Sequence, residues 1–282
     1  MNLLVNLLGK IELFKPNCRT TFLQCIFTAV AQKKKKSSLL NWLVFTLLFV
    51  SVGTTMVIYY YHQPTFVRYP AFGIDIPINY AIHGIDVSRY QGLINWEEVK
   101  EMEIKNVKIG FSFIKATEGI NNEDKRFERN WKAAKKAGMI RGAYHFFNPY
   151  KSGREQAQNF IETVVLSKGD LPPVLDVEFA GRVSRPQLLQ RIKDWLQLVE
   201  MHYKVKPIIY TGADFYRNYL SVQFDDYPLW VAHYLVKDKP RTSRSWHFWQ
   251  HNEKGRVNGI NAPVDFNVFN GDSADFSNLL LR

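Results

Sequence analysis

Eight short runs of β-type sequence, crowded between Ile82 and Phe269, limit what this chain can fold into. They read IHGIDVS, VKIGFSFIKAT, IRGAYHFF, LPPVLDVEF, KPIIYTGA, YPLWVAHY, SWHFWQH and VDFNVF. Each is rich in β-branched and aromatic residues. Helical patterns separate the earlier runs. NWEEVKEME opens on Asn95 as a cap, DKRFERNWKAAKKAG closes on Gly138, and SGREQAQNFIETVV follows Ser152. SRPQLLQRIKDWLQLVEMHY has Ser184 as cap, Pro186 in its first turn, and Leu188, Leu189, Ile192, Trp195, Leu196 and Val199 on one face. A short DFYRNYL follows the fifth run, after which little room for helices remains. Alternating strands and helices pair in parallel and wrap around a core. The pattern predicts an α/β fold, an incomplete TIM-like barrel of the form (β/α)5(β)3, over residues 81–282. Reactive groups of such barrels sit at the C-terminal ends of the strands.

The N-terminal part reads differently. Residues 39–61, LLNWLVFTLLFVSVGTTMVIYYY, carry no charge. At 1.5 Å per residue they reach across a hydrocarbon layer of about 30 Å. Lys33 to Lys36 precede them and Tyr59, Tyr60 and Tyr61 end them, which predicts a transmembrane helix with its basic flank in the cytoplasm. The domain reading is therefore a cytoplasmic segment at 1–38, the membrane helix at 39–61, a Pro-bearing linker at 62–80, and the barrel outside the membrane. The alternative is secretion after signal cleavage, although no small-x-small cleavage site follows the apolar run. The opening MNLLVNLLGKIELF is amphipathic and suggests no function. Cys18 and Cys25 are the only cysteines, so the barrel domain has no disulfide. The net charge of +11 would suit an anionic partner, but the lysine run accounts for part of it. A nucleic-acid partner fits poorly with a domain outside the membrane.

Chemistry concentrates at the strand ends. Asp176 and Glu178 lie two apart at the end of the fourth run, so they share one face. Two neighbouring carboxylates cannot both ionise without penalty, and the one in the drier place stays protonated. A protonated carboxylic acid is what a glycosidase uses to protonate its leaving group. Asp86 ends the first run and Asp265 lies in the eighth; barrel closure brings those runs together. Four acids from three strands favour a reaction centre over exposed turn acids. A metal would need more carboxylates or a phosphate loop, and neither is present. Tyr144, Phe146, Tyr210, Trp230, Tyr234 and Trp249 gather at the same ends and suit a sugar groove, with strand alternation sending about half such rings into the core. His83, His145, His233, His247 and His251 form no zinc pattern and read as hydrogen-bonded polar residues, with His145 a candidate for the site wall. No G-x-S-x-G elbow surrounds Ser88, Ser112 or Thr211.

Taken together and in order, HGIDVSRYQGLINWEEVK, FSFIKATEG, GAYHFF, PVLDVEF, PIIYTG, LWVAHY, FWQH and VDFNVF resemble the strand motifs of glycoside hydrolase family 25, the muramidase-type lysozymes. The resemblance runs from His83 to Phe269. It implies hydrolysis of the β-1,4 bond from N-acetylmuramic acid to N-acetylglucosamine in peptidoglycan glycan strands, with no metal or cofactor. It further implies that Glu178 is the general acid and that Asp176 stabilises the transition state by orienting the substrate's acetamido group. Asp86 and Asp265 would tune the cluster, and Tyr144 and Tyr210 would shape the site around the reacting sugar. The intermediate would be either an oxazoline or a covalent glycosyl-enzyme.

Overall fold

The computed structural model describes residues 19–61, 65–236 and 238–282. The opening amphipathic stretch and Cys18 lie outside the described residues. The chain divides into two compact units between Pro64 and Thr65.

The first unit holds one helix, α1 (Arg19–Tyr61). Within it Ser38–Tyr59 has a mean hydropathy of 1.9 and is long and apolar enough to cross a bilayer. Its threonine hydroxyls bond back to the helix itself. Thr46 donates to Trp42 O at 3.0 Å, Thr54 to Val50 O at 2.9 Å, and Thr55 to Ser51 O at 2.8 Å. Such back-bonding satisfies a hydroxyl where no water is available.

The second unit begins with two strands, β1 (Phe66–Tyr69) and β2 (Ile74–Pro77), paired as an antiparallel hairpin. The barrel follows: β3 (Ile82–Val87), α2 (Trp96–Glu101), a small β4 (Glu103–Ile104), β5 (Val107–Glu118), a small β6 (Asn122–Glu123), α3 (Phe127–Lys136), β7 (Ile140–Phe146), α4 (Gly153–Thr163) and β8 (Val174–Asp176). Next come α5 (Arg185–Tyr203), β9 (Ile208–Gly212), α6 (Ala213–Phe215) with a π-turn over Tyr216–Leu220, β10 (Leu229–Ala232), β11 (Phe248–Gly255), β12 (Val264–Phe269) and α7 (Ser273–Leu279). The larger strands form a closed eight-stranded sheet, because β3 pairs with β5 on one side and β12 on the other. All eight run parallel except β12, which is antiparallel to both neighbours.

Helix starts follow the local chemistry. Ser184 caps α5 in a reciprocal pair with Gln187, with Pro186 in the first turn. Asn95 caps α2 and Ser152 caps α4 through side-chain oxygens. The barrel interior is aromatic: Phe111, Phe113, Trp230, Phe248 and Phe269 form one buried cluster. Phe276 of α7 closes its lower end, 5.1 Å from the Phe269 ring and 5.6 Å from Phe111. Gly84 and Gly142 make room for these rings, since a Cβ would lie 2.5 Å from Phe111 or 2.6 Å from Phe113 respectively.

The stretch from Thr65 to Tyr80, expected as a loose linker, is instead part of the barrel domain. Strands β11 and β12 have no flanking helices, so their outer face needs another cover. The hairpin supplies it. Tyr69, Phe72, Ile74 and Ile76 are buried. Phe66 meets Trp249 edge-on at 5.8 Å, and Phe72 meets Phe266 at 5.4 Å. Beneath it His251 packs among Phe66, Trp249 and Phe266, with no hydrogen-bond partner on either ring nitrogen. Burial holds its pKa down at about 3. The expectation of a hydrogen-bonded histidine is corrected here: His251 serves as a neutral, ring-shaped filler.

Candidate active site

Alternation along the strands decides what enters the barrel mouth. Asp86 on β3, Lys115 on β5, Tyr144 and Phe146 on β7, and Asp176 at the end of β8 point inward and upward. Tyr210 comes from β9, Trp230 from β10 and Gln250 from β11. Together with Glu178, Tyr234, Asp265, Tyr90, Gln91 and Glu253 they line one cavity of about 270 Å³. All four acids singled out in the sequence, and five of the six aromatics, therefore share one space. Asp265 reaches it from the start of its strand, because β12 runs backwards. Glu178 stands two residues past the end of β8, just beyond the sheet.

Trp249 is the exception. It is fully buried on the outer face of β11, where its indole donates to His233 O at 2.9 Å beneath the hairpin. Its neighbour Gln250 takes the inward place. His145 also lies outside the cavity: Nδ1 bonds Thr117 Oγ1 at 2.7 Å, Nε2 bonds Gln156 Oε1 at 3.3 Å, and the ring packs against Trp195. Burial holds its pKa at about 3.

The acids are held in two groups. Asp86 and Asp265 face each other across the β3–β12 ladder and share a hydrogen bond. Asp86 Oδ2 accepts from Gln250 Nε2 at 2.8 Å and from Asn267 Nδ2 at 2.7 Å. Asn267 is fixed in turn by the Trp230 indole, which donates to its Oδ1 at 2.8 Å. The hydroxyls of Tyr210 and Tyr234 both donate to Gln250 Oε1, Tyr210 at 2.7 Å. Burial raises the pKa of Asp86, with the Asn267, Gln250 and Asp265 hydrogen bonds opposing it. Burial, then the Asp86 charge, pushes Asp265 up to about 9. Burial and the neighbouring Asp86 charge therefore favour the protonated form of Asp265, while its hydrogen bond to Asp86 favours the ionised form of Asp86.

Asp176 and Glu178 form the second group. Burial and the Glu178 charge push Asp176 well above the usual carboxylate range. Its Oδ1 is buried without a hydrogen-bond partner. Glu178 is raised less, by burial and the Asp86 charge, with Lys115 and a hydrogen bond from Tyr210 opposing. A buried carboxyl with an unused oxygen can bind a polar N–H, and a more accessible carboxyl beside it can exchange a proton with an adjacent oxygen. Among the described residues no cluster of His, Cys, Asp or Glu has the geometry to hold a metal ion.

A family model, glycosyl hydrolases family 25, matches residues 85–260, which contain Asp86, Asp176 and Glu178. The chain belongs to glycosyl hydrolase family 25. It is thus a glycosidase of the lysozyme class. The family 25 barrel is 47% identical over 218 residues to the Escherichia coli K12 protein YegX, covering 77% of this chain and 79% of that one. It is 37% identical over 211 residues to Lysozyme M1 of Streptomyces globisporus, covering 68% and 69%. Among solved structures, a family 25 glycosyl hydrolase from Bacillus anthracis superposes with a TM-score of 0.67 at 36% identity, covering 73% of this chain and 96% of that one. The antiparallel pairing that carries Asp265 lies just past the matched segment and is supplied by the structure alone.

The protonated Asp265 imposes a stability cost that pH reveals. Its folded pKa of about 9 exceeds the unfolded value of 3.8, so its contribution is complete below pH 3.8 and is lost as pH rises toward 9. Asp265→Asn keeps the shape and the hydrogen bond to Asp86 without the ionisation. Its urea midpoint should exceed that of the parent by a margin that widens from pH 5 to pH 8. A constant margin would mean that Asp265 does not carry the buried proton.

Proposed function

We propose that this chain hydrolyses the β-1,4 bond between N-acetylmuramic acid and N-acetylglucosamine in peptidoglycan, with Glu178 as general acid and Asp176 as the group that orients the reacting sugar. The observation that carries this reading is the convergence of Asp176, Glu178, Asp86 and Asp265 on one cavity, with their pKa values raised to different extents. Glu178 gives its proton to the glycosidic oxygen as the bond to the anomeric carbon breaks. The unpartnered Oδ1 of Asp176 accepts the acetamido N–H, which aims that group's carbonyl oxygen at the anomeric carbon. Water then attacks the anomeric carbon and returns a proton to Glu178, restoring the starting state. Tyr210, tied to Gln250 and close to Glu178, steadies the reacting ring together with Tyr144. Phe146, Trp230 and Tyr234 provide apolar faces for the neighbouring sugars.

Mass spectrometry of a peptidoglycan digest tests the bond. Fragments ending in a reducing muramic acid support the proposal; reducing N-acetylglucosamine or freed stem peptides defeat it.

The apolar helix is proposed as a retained anchor with the barrel outside the membrane. Its charge-free span and the preceding lysine run support this. Protease added to intact spheroplasts should digest the barrel, and full protection would refute that topology.

A further inference from the structure

The cavity of about 270 Å³ is small for a polymer, since pockets for drug-sized ligands run from about 300 to 1,000 Å³. A glycan strand bound there must continue over the surface around the mouth. Among the described residues of the barrel domain, the exposed aromatic side chains are Tyr90, Tyr150, Phe179 and Tyr234. They follow the C-terminal ends of β3, β7, β8 and β10 in turn, so all belong to the rim of the mouth. Tyr90 and Tyr234 line the cavity, whereas Phe179 and Tyr150 lie outside it. Those two are nonetheless continuous with the site. Phe146 lines the cavity, and the Phe179 ring lies 6.1 Å from it at an interplanar angle of 33°. Phe179 directly follows Glu178 and remains 39% exposed. Two residues on, Gly181 has a φ of 62° and lies against the Tyr150 ring. A Cβ there would come within 2.5 Å of the Tyr150 Cζ and hydroxyl oxygen. The Arg182 N–H donates to that hydroxyl at 3.0 Å. Tyr150 is thus pinned at its far end, yet it is 51% exposed. A ring pinned in this way has little freedom left to lose when a ligand arrives.

We propose that Phe179 and Tyr150 form a sugar-stacking ledge that binds units of the glycan strand beyond those held in the cavity. The proposal rests on the reading of the cavity as a glycan-cleaving site. A pyranose unit presents C–H groups on its faces and hydroxyls at its edges. An aromatic ring takes such a face while the edges stay in water. Separate rings set among polar groups therefore suit a polymer of sugars. A protein partner would call for a contiguous apolar patch. Here Ala180 and Gly181 separate the two rings, and the adjacent Lys151 and Arg182 are exposed and charged. Continuity through Phe146 selects the occupant, which is the same strand that enters the cavity.

The experiment compares a glycan tetrasaccharide with long glycan strands freed of stem peptides, as substrates of the full-length chain in detergent micelles. Per cleavable bond, the parent should have the higher kcat/KM on long strands. With Phe179→Ala and Tyr150→Ala combined, the ratio of kcat/KM on long strands to that on the tetrasaccharide should fall about tenfold, through KM on the long strands. Phe179→Ala alone should lower the ratio about threefold, and Phe179→Tyr, which keeps a ring face, should retain the parental value. An unchanged ratio in the double variant, or an equal loss on both substrates in it and in Phe179→Ala, overturns the proposal. Calorimetry on chains carrying Glu178→Gln reads the ledge without turnover. Long strands should bind about tenfold more weakly once both rings are removed, and equal affinity refutes the ledge. If the parent cleaves neither substrate yet this weakening is seen, the hydrolase reading falls and the ledge stands. Self-association of the parent that the double variant loses, with the length ratio intact, would assign the rings to a contact between copies and overturn the proposal.

Discussion

Glu178→Gln should leave glycan strands uncut, with kcat lowered by about a thousandfold or more. The amide keeps the size of the acid and its place in the cavity beside Tyr210. What it lacks is a transferable proton. KM should therefore change little, because the cavity and its rings are untouched. A second substrate separates loss of the proton from damage to the site. An aryl glycoside whose phenolate leaves without protonation should lose far less rate in the variant than natural glycan does. Retention of more than about a tenth of the parental rate on natural glycan would remove Glu178 as the acid.

Starting the soluble domain at residue 81 should abolish folding, whereas starting it at Thr65 should preserve it. Between those positions lie Tyr69, Phe72, Ile74 and Ile76, all buried against the barrel. At about 2 kcal/mol for each such side chain, their gross contribution is roughly 8 kcal/mol, comparable with the net stability of an ordinary domain. The truncation would also expose Phe266, Trp249 and His251, which the hairpin covers. The outcome to measure is the soluble yield and urea midpoint of residues 65–282 against 81–282. Equal midpoints would show that the hairpin is a passive attachment.

The sequence made the eight strands legible because their composition and the capped helices between them agree. All four acids singled out there line the one cavity, Asp86 and Asp265 because barrel closure pairs their strands, Glu178 from the loop just past β8. Trp249 went wrong for a physical reason. FWQH belongs to a strand buried on both sides, Phe248 facing the barrel interior and Trp249 the hairpin, so no alternation of polarity reveals which face is inward. The same parity hid Gln250. Asn267 and Gln250 had no local signal at all, because their role comes from pairing with Asp86 across strands distant in sequence. Lys115 carried no signal in the sequence; the structure places it as the one described cation lining the cavity. The hairpin was obscured by its prolines and by strands of four residues each, too short to announce a period.

Strand β1 has one backbone partner, β2, and is otherwise held by its side chains. It is also where the polypeptide enters the barrel domain from the apolar helix. Tension applied at the N-terminal end of this domain would enter at Thr65 and load the hairpin first. The element that covers the outer face of β11 and β12 would therefore also be the first to yield, uncovering Phe266, Trp249 and His251.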